Sequence, residues 1–419
     1  MDRFMVYGGH RLEGSLRASG AKNAVLPILA AVLLNPHEVA LTRVPRIVDV
    51  DNMLSILVEL GCSVTWAGPH ELVIDASTAV GWVMPEQLAR EMRSSIVMLG
   101  SILGRFGKAQ LTYPGGCEIG LRPIDLHLSG LQALGAVIVE EGGHIECRGQ
   151  LHGGSVTLDY PSVGATENII LATVLTSHTT VIRNAALEPE IVDLQGFLNA
   201  CGAKVSGAGT ATVTVEGVEA LHGCTYEIMA DRIEAGTYLI AAAITQGDVT
   251  VTGVQPGLLQ PVLAKLREGG CVVDESTDWI RARATNRPSV LRAVQTRPYP
   301  GFPTDMQAQF MVYMTIMQGT GMMEENIFEN RYKHSSELIR MGADIIIRDR
   351  NAIIHGVPRL KGARVAATDL RGGACLVLAG LQAEGCTLVE NAHLIDRGYE
   401  SLDQRLVGLG GAVERLRSE

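Results

Sequence analysis

One short pattern recurs six times along the sequence, and few folds are compatible with such a repeat. In each copy an amphipathic helix ends in a glycine and is followed by an alternating strand. The copies read LVELGCSVTW, LQALGAVIVE, FLNACGAKVS, LREGGCVVDE, LIRMGADIII and LVGLGGAVER, with glycines at 61, 135, 202, 270, 342 and 411. Successive glycines are 74, 67, 68, 72 and 69 residues apart, which is too long for an ordinary solenoid repeat. We predict that each glycine is the C-terminal cap of its helix.

A second kind of helix, apolar on nearly all sides, precedes each copy of the pattern. These segments read AVLPILAAVLL, SSIVMLGSILG, ENIILATVLT, AGTYLIAAAIT, QFMVYMTIM and ACLVLAGLQ. A helix without a polar face is buried, so we predict six inner helices. A short strand follows most of them, as in AQLTYP, TTVIRN, DVTVTGV and CTLVEN.

These units predict the fold class and the domain organisation. A chain of 419 residues is too long for one compact core, and six units divide naturally into two domains of three. We therefore expect an α/β protein: a two-domain inside-out α/β barrel built from six βαβαββ-like repeats, with sheets around buried helices. Because helices separate the strands, we expect parallel pairing to dominate. Residues 22–229 would form one domain, with 1–21 and 230–419 forming the other and the active site in the cleft between them.

Composition excludes several classes of function. Hydrophobic residues make up 47% of the chain and charged residues 19%, which is typical of a packed globular protein. The net charge of −10 argues against non-specific binding to nucleic acid or to an anionic membrane. The eight cysteines include no Cys-x-x-Cys pair, so we expect free thiols and no bound metal. The amino terminus lacks a signal-peptide pattern and segment 24–34 is too short to span a bilayer, so we expect a cytoplasmic protein.

Basic residues recur at or near the amino ends of the predicted inner helices. These ends carry Lys22-Asn23, Arg93-Ser94-Ser95, Ala165-Thr166, Asp231-Arg232, Thr304-Asp305 and Asp369-Leu370-Arg371. A helix amino terminus already has a partial positive charge, so a cation there is unfavourable unless an anion binds. If the ends converge, they form a site for a ligand with several negative charges. The alternative is that each arginine pairs with an adjacent carboxylate, as Asp231 with Arg232 or Asp369 with Arg371.

Cys117 is the candidate reactive thiol. It lies in a glycine-rich loop between a predicted strand and the next helix, with Arg122 five residues further on. Glycines at 115, 116 and 120 allow the backbone to approach a ligand closely, and the nearby cation favours the thiolate. A turn that happens to carry a cysteine is the alternative.

Several motifs stand in the order and form of a known enzyme family. They are Gly20-Ala21-Lys22-Asn23-Ala24, Pro114-Gly115-Gly116-Cys117 to Arg122-Pro123-Ile124-Asp125-Leu126-His127, Pro161-Ser162-Val163-Gly164-Ala165-Thr166, Asp231-Arg232-Ile233-Glu234, Pro303-Thr304-Asp305, Phe328-Glu329-Asn330-Arg331 and Ile395-Asp396-Arg397-Gly398-Tyr399-Glu400. Through them the chain resembles the UDP-N-acetylglucosamine enolpyruvyl transferases from residue 20 to residue 400. The resemblance implies transfer of the enolpyruvyl group of phosphoenolpyruvate to the 3-hydroxyl of UDP-N-acetylglucosamine, with release of phosphate. This reaction is the first committed step of peptidoglycan precursor synthesis and, by the resemblance, uses no cofactor.

The resemblance also implies roles for individual residues. Cys117 is the implied general acid and forms a covalent phosphoenolpyruvate adduct, Asp305 is the implied general base, and Lys22 and Arg397 assist catalysis. The implied phosphoenolpyruvate-binding residues are Lys22, Asn23, Arg122, Arg331, Arg371 and Arg397. The implied nucleotide-sugar-binding residues are Asn23, Arg93, Arg122, Pro123, Ile124, Asp125, Leu126, Ser162, Val163, Gly164, Asp305 and Ile327. The drug fosfomycin alkylates the equivalent thiol in this family, so we expect it to inhibit the protein.

One departure and two rival functions qualify the resemblance. Tyr160 stands where some family members have a lysine, so affinity for the nucleotide is expected to differ. A shikimate-pathway enolpyruvyl transferase has the same sixfold architecture but is not expected to carry such a cysteine loop. An inactive nucleotide-sugar-binding paralogue should lack one of Lys22, Cys117, Asp305 or Arg397, yet all four are present. We therefore favour the active enzyme.

Overall fold

A computed structural model describes residues 2–113 and 124–417, and these residues form two compact units. The inserted unit comprises the described residues between 20 and 229. The terminal unit comprises 2–19 together with 230–417. Cys117, Arg122 and Pro123 lie outside the described residues.

The helices divide into buried inner helices and amphipathic outer ones. In chain order they are α1 (Lys22–Val32), α2 (Val48–Glu59), α3 (Glu86–Glu91), α4 (Met98–Phe106), α5 (Asp125–Ala133), α6 (Val163–Thr173), α7 (Pro189–Ala200), α8 (Arg232–Ile244), α9 (Gln260–Glu268), α10 (Gln307–Thr315), α11 (Ser335–Arg340), α12 (Leu370–Gln382) and α13 (Leu402–Gly408). Short 3-10 helices span Arg93–Val97, Pro256–Leu258, Thr304–Met306 and Ala392–Leu394. The predicted inner helices are confirmed as α1, α4, α6, α8, α10 and α12; in α8 every residue is buried.

The strands are short and follow both kinds of helix. They are β1 (Arg3–Tyr7), β2 (Glu13–Arg17), β3 (Val39–Thr42), β4 (Ser63–Trp66), β5 (Leu72–Asp75), β6 (Lys108–Thr112), β7 (Val137–Glu141), β8 (His144–Arg148), β9 (Gly154–Thr157), β10 (Thr179–Arg183), β11 (Lys204–Ser206), β12 (Thr212–Glu216), β13 (Thr225–Glu227), β14 (Asp248–Thr252), β15 (Val272–Glu275), β16 (Trp279–Arg283), β17 (Ala293–Gln295), β18 (Thr320–Glu324), β19 (Asp344–Arg348), β20 (Asn351–His355), β21 (Arg364–Ala366), β22 (Cys386–Glu390) and β23 (Ala412–Leu416).

Each unit contains three small sheets arranged around its inner helices, so the inside-out α/β fold is confirmed. The inserted unit has strand orders β13-β3-β5-β4, β6-β8-β7 and β11-β12-β10-β9. The terminal unit has β15-β16-β14-β2, β17-β18-β20-β19 and β21-β22-β1-β23. Each four-stranded sheet has one parallel pair at one edge, and its other pairs are antiparallel.

The expectation that parallel pairing dominates is wrong. Each outer helix that ends in a glycine cap, except α13, leads into a strand that turns back at once, as β4 does into β5 and β7 into β8. Strands joined by so short a turn pair antiparallel, whereas only pairs that cross over a longer connection can be parallel. The returning strand lies in the middle of its sheet and pairs antiparallel on both sides, so each four-stranded sheet has two antiparallel pairs and one parallel pair; in the sheet that follows α13, β1 holds this middle position.

Glycine caps end the outer helices as predicted, with one correction. Gly61, Gly135, Gly202, Gly270 and Gly342 have φ values of +100°, +99°, +92°, +88° and +90°. In the last copy the left-handed residue is Gly410, with φ +90°, and the predicted Gly411 follows it. The Gly411 N–H donates to the carbonyl of Leu406 and the Gly410 N–H to that of Val407, which is the Schellman arrangement. The first of the two glycines therefore has the conformation that requires glycine.

Among the described residues, no helix is both long and apolar enough to cross a membrane.

Candidate active site

The polar residues predicted at or near the amino ends of the inner helices lie there in the structure. Lys22 and Arg232 are the first residues of α1 and α8, and Arg93 starts the 3-10 helix that leads into α4. Arg371 is the second residue of α12. Before α6, the Ser162 hydroxyl accepts a hydrogen bond from the Ala165 N–H at 3.3 Å. Four of the inner helices therefore have a basic residue in their first turn or in the 3-10 turn before it.

Two of the carboxylates close to these basic residues in sequence, Asp231 and Asp369, cap the amino ends of helices. Asp231 accepts hydrogen bonds from the N–H groups of the first turn of α8, both at 2.8 Å. Asp369 does the same for α12, at 3.0 and 2.9 Å. The Arg371 guanidinium pairs with Asp305 rather than with the adjacent Asp369, so the neighbour-pairing alternative is wrong for Arg371. The reason is that the cap geometry commits the Asp369 carboxylate to the backbone.

Asp305, Arg331 and Arg371 form a cluster in the terminal unit that we call the double-arginine cluster. Nη2 of Arg331 donates to Oδ1 of Asp305 at 2.9 Å, and Nη2 of Arg371 donates to Oδ2 at 3.1 Å. The two arginine side chains are 3% and 4% exposed, whereas the Asp305 side chain is 25% exposed. Nη1 of each arginine is buried and has no hydrogen-bond partner among the described residues. Two buried guanidinium groups with unused donors can donate hydrogen bonds to the oxygens of a carboxylate or phosphate.

Aromatic side chains hold both guanidinium groups in place. Arg331 lies over the Phe328 ring at 5.4 Å from its centroid, and Arg371 lies over the Tyr399 ring at 5.3 Å. The Tyr399 hydroxyl is itself fixed by Thr237 and Gln309, at 2.9 and 3.0 Å. Burial alone would lower the pKa of Arg371, but the nearby Tyr399, Asp305 and Asp231 raise it. Both guanidinium groups are thus held in fixed positions before any ligand binds.

Glu325 supports this cluster, and the sequence reasoning missed it. Its fully buried carboxylate accepts hydrogen bonds from the hydroxyls of Thr296 and Thr304, all at 3.0 Å. Oε1 also accepts from the N–H groups of Ile327 and Phe328, at 2.9 and 3.1 Å. One carboxylate therefore fixes both the residue before Asp305 and the predicted nucleotide-sugar contact Ile327. A buried acid surrounded by hydroxyl residues distant in sequence leaves no local pattern by which it could be found.

We predict that Glu325→Ala lowers the free energy of unfolding by about 3 kcal/mol or more, because it leaves several buried donors without an acceptor. Urea denaturation of the full chain measures this change. The matched control is Glu390→Ala, which removes an exposed pair with Arg364 whose side chain is 71% exposed. We expect a loss of at most about 1 kcal/mol there. Equal losses in the two variants would contradict the role given to Glu325.

In the inserted unit, Lys22 pairs with a carboxylate of the next helix. Its Nζ lies 2.7 Å from Oδ2 of Asp49, and the two side chains are 12% and 1% exposed. Asp49 lies in the first turn of α2, where the helix dipole also favours a negative charge. Asn23, the next residue after Lys22, is exposed. The ion pair fixes the direction of the Lys22 side chain at the start of α1.

A buried histidine, His127, lies close to several of the predicted nucleotide-sugar contacts of the inserted unit. Nδ1 of His127 lies 2.6 Å from Nδ2 of Asn168, whose Oδ1 accepts from the Gly100 N–H at 2.6 Å. This arrangement makes Nδ1 the acceptor. Burial and the nearby Arg93 lower the pKa of His127 to about 4, although Asp125 opposes the shift. His127 is therefore neutral at physiological pH.

Gly164 leaves room for this histidine at the start of α6. A Cβ atom at Gly164 would lie 2.9 Å from Cε1 of His127, closer than such atoms normally approach. Arg93, Asp125 and Gly164, predicted separately as nucleotide-sugar contacts, therefore all lie near one buried imidazole.

The remaining predicted residues lie at the edges of these clusters. Ile124 is buried and precedes α5, Leu126 is half-buried, and Val163 begins α6. Arg397 is half-buried and follows Asp396, which both terminal nitrogens of Arg415 bind. Tyr160 is 44% exposed, and its carbonyl accepts from the Ser162 N–H at 2.7 Å. Within the described ranges, no group of three or more His, Cys, Asp or Glu side chains is arranged to hold a metal ion.

The fold is that of the enolpyruvyl transferases. The chain belongs to the EPSP synthase (3-phosphoshikimate 1-carboxyvinyltransferase) family, whose pattern it matches over residues 6–406. Among its relatives, UDP-N-acetylglucosamine 1-carboxyvinyltransferase 2 of Caldanaerobacter subterraneus is 49% identical over 417 residues, covering 99% of this chain and 100% of the relative. The UDP-N-acetylglucosamine 1-carboxyvinyltransferase of Aeromonas salmonicida is 49% identical over 419 residues, covering 100% of both chains.

Solved structures agree with this assignment. The enolpyruvyl transferase NikO from Streptomyces tendae superposes with a TM-score of 0.89 at 25% identity, covering 100% of this chain and 99% of the other. An EPSP synthase from Acinetobacter baumannii gives 0.76 at 17% identity with full coverage of both chains, which supports the fold alone. The predicted family resemblance and the predicted transferase class are confirmed.

Proposed function

We propose that this chain transfers the enolpyruvyl group of phosphoenolpyruvate to the 3-hydroxyl of UDP-N-acetylglucosamine and releases phosphate. The observation that carries the proposal is the double-arginine cluster, because its two buried Nη1 atoms have no partner in the described chain. Full-length relatives at 49% identity are named for this activity. The reaction supplies peptidoglycan precursors, so the protein would act in the cytoplasm in support of cell-wall synthesis, cell shape and cell division.

Phosphoenolpyruvate has the charge that the arginines require. It carries a carboxylate and a phosphate, and bidentate guanidinium contacts suit both groups. Arg331 and Arg371 are already buried and oriented, so binding would require little further ordering of their side chains. We assign Lys22, Asn23, Arg122 and Arg397 to the same ligand. Lys22 and Asn23 belong to the inserted unit, and Arg331 and Arg371 belong to the terminal unit.

Asp305 is the proposed general base. Its carboxylate is the most exposed part of the double-arginine cluster, and the two guanidinium groups favour its ionised form. It would accept the proton of the sugar 3-hydroxyl as that oxygen attacks the central carbon of phosphoenolpyruvate. Cys117 would donate a proton to the methylene carbon, which gives a tetrahedral ketal. Loss of a proton from the new methyl group and departure of phosphate then form the enol ether.

The nucleotide sugar would contact the remaining predicted residues. Arg93 is a half-buried cation suited to the diphosphate, and the amino terminus of α6, at Ser162, Val163 and Gly164, has the partial positive charge of a helix dipole. We further assign Asn23, residues 122–126, Asp305 and Ile327 to this substrate. The exposed Tyr160 cannot neutralise a phosphate, so a nucleotide affinity different from that of lysine-bearing family members remains a prediction.

We predict that the purified full chain releases phosphate from phosphoenolpyruvate only when UDP-N-acetylglucosamine is present, and that fosfomycin abolishes the release. Cys117→Ser is expected to prevent covalent labelling by the drug, since a hydroxyl is a far weaker nucleophile than a thiolate. Cys386→Ser, which alters an exposed thiol, is the control and should be labelled like the unaltered protein.

Two outcomes would overturn the proposal. Release that depends on shikimate 3-phosphate instead of the nucleotide sugar would favour the shikimate-pathway enzyme. No release with either acceptor, together with measurable binding of UDP-N-acetylglucosamine by calorimetry, would favour the inactive paralogue.

A further inference from the structure

Two cysteines of the inserted unit lie side by side, and the proposed reaction uses neither of them. The sulfur atoms of Cys201 and Cys224 are 3.1 Å apart. Cys201 follows the last residue of α7, and Cys224 directly precedes β13. Cys201 is buried and Cys224 is half-buried.

The backbone holds both cysteines in this position. The Cys201 carbonyl accepts from the His222 N–H at 2.8 Å, and the Cys224 carbonyl accepts from the Ala40 N–H at 2.9 Å. The side chain of Asn35 donates to the carbonyl of His222 at 2.7 Å. Because both flanking segments are fixed by hydrogen bonds, the fold itself brings the two thiols together.

The separation is close to that of a covalent bond. A disulfide joins its sulfur atoms at about 2.05 Å, so the two atoms need to approach by only about 1 Å. In the described part of the chain, no other cysteine has a second cysteine sulfur at hydrogen-bond distance. This pair is therefore distinguished from the other thiols by its geometry.

We propose that Cys201 and Cys224 form a reversible disulfide when the protein meets a low-molecular-weight disulfide. The Cys224 thiolate attacks one sulfur of the small disulfide, a mixed disulfide forms, and one small thiolate leaves. The Cys201 sulfur then attacks Sγ of Cys224, and the second small thiolate leaves and takes the Cys201 proton. Two protein thiols are oxidised, and one small disulfide is reduced to two thiols.

Burial sets the order of the two steps. Cys224 is half-buried and can meet the oxidant, whereas Cys201 is enclosed. Burial also raises the pKa of Cys201, which keeps its sulfur protonated and unreactive towards solvent. Cys201 therefore reacts only with a neighbour held beside it, where the effective concentration is high.

The bond would tie the end of α7 to the start of β13 and close the segment 201–224. A cross-link of this kind restricts the unfolded chain more than the folded one. The other end of β13 is already tied to α7, because Asp193 accepts from the Tyr226 hydroxyl at 2.8 Å and from the Met229 N–H at 3.2 Å. The bond would add a second attachment between the same elements, so we expect the oxidised protein to melt at a higher temperature.

The test treats the reduced, folded full chain with increasing oxidised glutathione, blocks the remaining thiols by alkylation under denaturing conditions and maps the peptides by mass spectrometry. We expect a linked Cys201–Cys224 peptide that dithiothreitol reverses. In Cys201→Ala, glutathione should remain attached to Cys224, and in Cys224→Ser, Cys201 should stay reduced. Cys147→Ala, which changes a buried cysteine outside the pair, is the matched control and should give the same linked peptide as the unaltered protein.

Four results would overturn the proposal. The first is alkylation of both cysteines at a glutathione concentration that fully modifies the exposed Cys386. The second is glutathione that stays on Cys224 while Cys201 is present. The third is a linked peptide that appears only when the protein is oxidised after unfolding. A melting temperature that falls on oxidation would likewise show that the folded state does not accommodate the bond.

Discussion

Asp305→Ala is expected to reduce phosphate release by about 10²-fold or more and to destabilise the protein at the same time. The first effect follows from loss of the proposed base. The second follows because two arginine side chains, 3% and 4% exposed, lose their shared carboxylate. Removing one partner of a buried charged group typically costs about 3–5 kcal/mol. Steady-state kinetics and urea denaturation measure the two losses separately.

Inorganic phosphate provides a specific check of this prediction. If Arg331 and Arg371 form an anion site, phosphate should raise the melting temperature of Asp305→Ala more than that of the unaltered protein. The matched control is Asp248→Ala, because Asp248 also binds an arginine, Arg281, through two nitrogens at 2.7 and 2.6 Å. That arginine is 41% exposed, so we expect a loss of at most about 1 kcal/mol and no special effect of phosphate. Equal phosphate effects in the two variants would contradict the anion site.

The second large effect is expected at Lys22. Lys22→Ala should lower phosphate release by about 10²-fold or more, because it removes a fixed cation from the proposed phosphoenolpyruvate site. It should also lower the free energy of unfolding by about 3 kcal/mol, because Asp49 is only 1% exposed and loses its contact with Nζ.

The double variant Lys22→Ala/Asp49→Asn separates the two causes. Neutralising Asp49 removes the buried charge that has lost its contact with Nζ of Lys22, so we expect most of the lost stability to return. We expect phosphate release to remain low, because no cation has been restored. Recovery of activity along with stability would mean that Lys22 acts only by neutralising Asp49 and would overturn its assignment to the substrate.

The structure changes the interpretation of the basic residues at the amino ends of the inner helices. The sequence pattern offered two explanations for the basic residues, an anion site or neighbouring ion pairs. Arg371 matches neither explanation fully: its carboxylate partner is Asp305, 66 residues away in sequence, and one of its terminal nitrogens has no hydrogen-bond partner within the described part of the chain. An arginine that shares a carboxylate with a second buried arginine retains net positive charge in the cluster. The double-arginine cluster can therefore hold Asp305 and still attract an anion.

Features governed by short-range physics were predictable from the sequence alone. Six inner helices follow from apolar residues on every face, and five of the six glycine caps follow from the left-handed backbone that those positions require. The sixth was misplaced by one residue because Gly410 and Gly411 are adjacent and only the chain geometry distinguishes them. The family motifs also lie within short segments, so family and transferase class could be inferred before any coordinates.

Only the tertiary structure decided which groups meet. Arg331 and Asp305 are 26 residues apart, and the sulfur atoms of Cys201 and Cys224 meet across 23 residues. Glu325 accepts hydrogen bonds from three segments, and the strands pair mostly antiparallel because short hairpins follow most of the outer helices. Secondary-structure propensity and hydrophobic periodicity depend on residues within a few positions of one another, so they can be read from short segments of the sequence. The partner of a buried charge or thiol depends on how distant segments pack, and no local pattern records that.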